Sequence, residues 1–135
     1  MAVDVWSMYE QLGEQDRASL SDVGQAVFAI CDLRQEVSSG GFDAYLRYWG
    51  GNTAPQALAS LADVLGQDWA DLLGEAMALL GPAFPADSDA RAELLDELEL
   101  DGRLAELDER FYDLEAAVDG DALLSAWLRP DRGPS

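Results

Sequence analysis

Carboxylates are the only side chains present in numbers that could do chemistry. The 135-residue chain holds 27 Asp and Glu against eight basic residues, all of them Arg, and it has no His and no Lys. Paired acids serve glycoside hydrolysis or the binding of Mg²⁺ and Ca²⁺. Two clusters qualify by spacing, Asp87-Ser88-Asp89 and Asp119-Gly120-Asp121. Neither continues into the loop pattern of a calcium site. Each reads instead as a helix N-terminus, where a carboxylate accepts orphan backbone N–H groups and complements the helix dipole.

The remaining catalytic inventory is short. Without histidine, Ser–His and Cys–His pairs are excluded, and without lysine so is Schiff-base chemistry. Cys31 stands alone on an apolar stretch. That rules out a disulfide framework and a zinc site, and leaves a buried, inert thiol as the expectation. The glycine pairs lack the context of a phosphate loop. We therefore expect no enzyme, no catalytic residue, no metal and no cofactor.

The formal net charge of -19, with a pI near 4.1, repels nucleic acid and anionic membranes and attracts cationic partners at long range. No direct nucleic-acid contact and no membrane contact are expected. The N-terminal Met1-Ala2-Val3-Asp4-Val5-Trp6 lacks the basic and apolar regions of a signal peptide. No stretch approaches the ~20 apolar residues of a membrane span. A soluble, cytoplasmic protein is the expectation.

The elements that must position the acids are helical, because no run alternates with period two. Val3–Leu12 reads as a first short helix. A second carries Val23, Val27, Ile30 and Leu33 along one stripe, is capped by Ser19 or Ser21, and ends near Val37. Ser38-Ser39-Gly40-Gly41-Phe42 then forms a hinge, with the two glycines expected to make an αα-corner or hairpin. Phe42, Tyr45, Leu46 and Trp49 fall on one face of a third helix.

Asn52 or Thr53 caps a fourth, with Pro55 in its first turn and a buried stripe of Leu58, Leu61, Ala62 and Leu65, closed by Gly66. Asp68–Leu80 is a fifth, with Trp69, Leu72, Leu73, Ala76 and Leu80 in phase. Gly81 to Pro85 breaks the helical pattern. A sixth helix runs from Asp89 to Leu100 with Ser88 as cap and Leu94, Leu95 and Leu98 inward. Asp101-Gly102 reads as a turn. A seventh carries Leu104, Leu107, Phe111 and Leu114, and a last one holds Leu123, Leu124 and Trp127. The expectation is an all-α, compact single domain of seven to eight short helices over residues 1–128, followed by a tail at 129–135.

Between Asp87 and Asp121 the chain carries fourteen acidic residues and three arginines, a net -11. Acids three or four apart on a helix lie roughly 5–6 Å apart at Cβ. Duplex DNA presents one charge per ~1.7 Å of axis. The acidic helices can thus offer a cationic surface a comparable density of charge. Asp87, Asp89, Glu93, Asp96, Glu97, Glu99, Asp101, Glu106, Asp108, Glu109, Asp113 and Glu115 are the candidate partner-binding residues. Gly40, Gly41, Phe42 and Tyr45 are the structural hinge.

A family resemblance rests on these same segments. Glu36, Gly40, Gly41, Phe42 and Tyr45, then Trp49-Gly50-Gly51 and the Ala- and Leu-rich helix ending in Gly66, resemble the Gly-Gly-Phe signature of the neisserial DNA-mimic protein family. Leu107-Asp108-Glu109-Arg110-Phe111-Tyr112 resembles its late acidic-aromatic helix. Ser38 and Ser39 stand where that family commonly has asparagine, and Ala44 stands where it has glutamine. The resemblance implies an all-helical protein and, as for the best-studied kind in that family, binding to a transcription factor in place of DNA. A basic DNA-binding protein is then the expected partner, with monomer and dimer both open.

Two other readings explain the acidity. An immunity or antitoxin-like protein would hold one toxin tightly through apolar contacts, even at high salt. An acidic protein adapted to a salt-rich cytoplasm would have no dedicated basic partner.

Overall fold

A computed structural model describes residues 22–128. The expected Val3–Leu12 helix, the Ser19 and Ser21 caps and the 129–135 tail lie outside the described residues. Within them the fold is all-α, with no strand. The helices are α1 (Asp22–Arg47), α2 (Ala54–Val64), α3 (Gln67–Ala78), α4 (Ser88–Leu98), α5 (Asp101–Ala117) and α6 (Gly120–Leu128), and a short 3₁₀ helix (Trp49–Thr53) links α1 to α2.

Helix α1 is the centre. Val27, Phe28, Ala29, Ile30, Cys31 and Leu33 are all buried, as a helix covered on every side must be. Helices α2, α4, α5 and α6 pack on it, while α3 packs on α2 and α5. Phe111 of α5 lies between Phe42 of α1 and Trp69 of α3, meeting both rings edge to face at 5.9 and 5.3 Å. Such pairs add roughly 0.5–1.5 kcal/mol each beyond area burial.

The expected second and third helices are the two arms of α1, and they meet at a kink at Gly40 and Gly41, where the backbone leaves helical φ/ψ: of the corner and the hairpin, the corner is formed. Several expectations change. Ala62 is exposed and Leu58 half-buried, and α2 instead buries Ala54, Ala57, Leu61 and Val64. Asp87, not Ser88, caps α4, accepting the Ala90 N–H at 3.1 Å. Asp101 and Gly102 are the first turn of α5 rather than a loop. Leu98 is 48% exposed, because the inward face of α4 is taken by an arginine.

That arginine, Arg91, is fully buried. Its guanidinium donates to the carbonyls of Leu46 (2.6 Å), Pro85 (3.0 Å), Ala86 (2.9 Å) and Tyr48 (3.0 Å) and to Asn52 Oδ1 (2.7 Å). It also lies 5.4 Å from the centre of the Phe84 ring. The Leu46 carbonyl belongs to the C-terminal turn of α1, where helical partners run out. Arg91 therefore caps α1 from α4 and binds the 3₁₀ helix in the same grip. Gly51 makes room for it: a Cβ there would stand 2.5 Å from the Tyr45 carbonyl oxygen and 3.1 Å from Arg91 Nη2.

Removing the guanidinium orphans several buried oxygens at once. Arg91→Ala is expected to cost about 3 kcal/mol or more in urea unfolding. Arg91→Lys, which lacks the planar fork, is expected to recover less than half of that loss.

Candidate functional site

The acids of the late helices divide into those that build the fold and those that face out. At the kink, Gly41 has φ +75, and helical bonding is broken on both sides. Helix α5 supplies the missing partners. Asp108 Oδ1 accepts the Phe42 N–H at 2.7 Å, and the Tyr112 hydroxyl donates to the Val37 carbonyl at 3.1 Å. Asp108 and Tyr112, four residues apart, thus cap the two broken ends of α1. A Cβ on Gly41 would stand 2.5 Å from Asp108 Oδ2, so glycine is required by approach as well as by φ. Phe42 and Tyr45 are fully buried behind this contact, and Gly40 is exposed.

Burial pushes the Asp108 carboxyl above the usual carboxylate range; the Phe42 N–H opposes this and the charge of Asp43 adds to it. Glu115 is likewise engaged inward. It takes Arg34 in a bidentate pair, at 2.7 Å in both bonds, while Asp121 accepts Arg34 Nη1 at 2.7 Å. Arg34 is buried and ties α1 to α5 and α6. Burial alone would lower its pKa, but Glu115 and Asp121 together raise it above the ordinary arginine value.

The other candidate residues are exposed. On α4, Asp89, Glu93 and Glu97 recur at every fourth position with Asp96 beside them. Asp96 shares Arg47 with Asp43, at 3.1 Å to each. Glu99 and Asp101 flank the joint between α4 and α5, Glu99 with a left-handed backbone. On α5, Glu106, Glu109 and Asp113 form a second outward row. Asp119, like Asp87, caps its helix, accepting the Ala122 N–H at 3.0 Å. Among the described residues, no three of His, Cys, Asp and Glu converge as metal ligands. No helix there is long and apolar enough to cross a membrane.

Sequence reasoning identified the acids and the glycine hinge but not the partners that separate inward from outward carboxylates. Arg91 lies four residues before Leu95 and seven before Leu98, on the expected inner face of α4. Arg34 sits within the apolar run of α1. Those positions were the available signal.

These features define a class: an all-helical protein that spends a few carboxylates on its frame and displays two rows of others along its late helices. The family model for DMP19-like protein matches residues 18–131. The chain belongs to that family, in keeping with the DNA-mimic resemblance read from Gly40, Gly41 and Phe42 at the kink. No curated protein and no solved structure matches it.

Asp108→Asn keeps an acceptor for the Phe42 N–H while removing a half-buried charge. It is expected to equal or exceed the parent in stability at neutral pH, whereas Asp108→Ala loses about 1–3 kcal/mol. The raised pKa means that the folded state binds this proton more tightly than the unfolded chain. The parent should therefore gain on Asp108→Asn as pH falls from neutrality into the usual carboxylate range, and lose that gain as pH rises. Parallel urea titrations at about pH 7 and about pH 5 read both effects.

Proposed function

We propose that this chain is a non-enzymatic DNA mimic that occupies the DNA-binding surface of a basic protein such as a transcription factor. The observation that carries the reading is the charge spacing of the two outward rows. Glu106, Glu109 and Asp113 span ~10 Å of helix axis, with successive carboxylates about 5 Å apart. Asp89, Glu93, Asp96 and Glu97 span ~12 Å, with successive carboxylates about 4 Å apart. A single strand of B-DNA presents one phosphate per ~3.4 Å. Each row therefore approaches the linear charge density of one strand from below, on a helix whose backbone is held from behind. Membership in a DNA-mimic family supports the same reading. No cofactor, metal or catalytic group is called for.

The test is capture of partners from the source cell's lysate at ~100 mM salt, with and without excess duplex DNA. A basic DNA-binding protein retained alone and released by DNA is the expected result. With that partner purified, Glu106→Gln/Glu109→Gln/Asp113→Asn is expected to weaken binding about tenfold or more, with unchanged helicity and equal or higher thermal stability. A partner that stays bound despite the DNA would instead identify an immunity protein. No partner at all would leave the acidity to the cell's salt.

A further inference from the structure

A groove of about 390 Å³ lies between α3 and α5. Its base is apolar, formed by the buried Leu107 and the half-buried Leu79. On its wall Arg110 donates to both oxygens of Glu75, at 3.0 and 2.7 Å, so each charge already has its counter-charge. Arg103 and Glu106 complete the charged lining. Two guanidiniums thus balance two carboxylates here, on a chain of formal charge -19. The groove is a neutral, apolar-floored interruption of an acidic surface. Glu106 belongs both to it and to the outward row of α5, so a partner lying along that row passes its mouth.

We propose that this groove is the specificity pocket of the interface, and that it takes an uncharged aliphatic or aromatic side chain projecting from the basic partner beside its cationic row. The inference rests on the DNA-mimic reading of the acidic rows. A cation gains no net attraction in a balanced groove and does better on the open rows. An anion is repelled by the surface around it. An apolar side chain gains by leaving water for Leu79 and Leu107. Rows of carboxylates attract any basic protein, and one desolvated apolar anchor distinguishes among them.

The probe is a set of peptides of about twelve residues, alternating Arg and Ala, with one Leu walked through the Ala positions, titrated by NMR at ~0.15 M salt. Every peptide is expected to shift the amides of the acidic rows. One Leu register should bind about five- to twentyfold more tightly than the all-Ala peptide and shift the Leu79 and Leu107 methyls. Ala78→Phe, which fills the groove from an exposed position, should abolish that register-specific gain. The pocket is overturned if no register gains, or if the gain survives Ala78→Phe. It is also overturned if sedimentation finds a dimer of this chain that Ala78→Phe dissociates, since a second copy then fills the groove. If no peptide touches the acidic rows, the DNA-mimic reading itself fails, a result distinct from equal binding by all registers.

Discussion

The buried Arg91 guanidinium is the constraint on which the described fold turns. A charge taken out of water must be compensated fully or it destabilises the fold. In a chain with 27 carboxylates, an ion pair would be the ordinary solution. Arg91 instead donates to four carbonyls and one amide oxygen, all neutral. Burial lowers its pKa from the ordinary arginine value, with Tyr45 and Asp87 opposing, and a guanidinium starts high enough to stay charged. The contact closes the end of α1, fixes the 3₁₀ helix and seats α4 without drawing any carboxylate into the interior. The acids of α4 are thereby left on the outside.

Helix α5 separates its two duties by register. Asp108, Tyr112 and Glu115 reach α1 through the Phe42 N–H, the Val37 carbonyl and Arg34. Glu106, Glu109 and Asp113 point the other way. The inward set holds the helix at three points along its length. The outward set is thereby carried on a fixed backbone, which spares a partner part of the ordering cost of binding. The kink in α1 and the display on α5 are one construction, since the residues that repair the first also position the second.

Much of this was legible in the sequence, for identifiable reasons. The α3 face of Trp69, Leu72, Leu73, Ala76 and Leu80 is buried as its spacing predicts, because a strongly amphipathic helix has one way to face a core. The Gly40-Gly41 break was visible because glycine pairs interrupt helices. The choice between a corner and a hairpin was not, since it depends on what meets the freed backbone groups. That partner, Asp108, is 66 residues from Phe42, beyond the reach of any local rule. Ala62 was misplaced because periodicity assigns a face without knowing how wide the neighbouring helix is, and Leu98 because Arg91 takes the inner face of α4. Arg34 and Arg91 were missed as frame residues because a charged side chain inside an apolar pattern looks like an interruption. The division of acids into inward and outward sets followed from those same long-range partners.

The placement of α4 has a dynamic consequence. It packs chiefly on α1 and the 3₁₀ helix, with Leu95 and Arg91 as its buried contacts. Its own carboxylates repel one another across a few ångströms. Local opening begins where few apolar contacts resist it, and the last turn of α4, beyond Leu95, has an exposed Leu98 and opens without breaking the grip of Arg91. Mobile counter-ions shield the repulsion that drives it, over a distance of about 10 Å at ~0.1 M ionic strength. Amide exchange in the last turn of α4 is thus set by the surrounding electrolyte, while the amides of α1 report the whole fold.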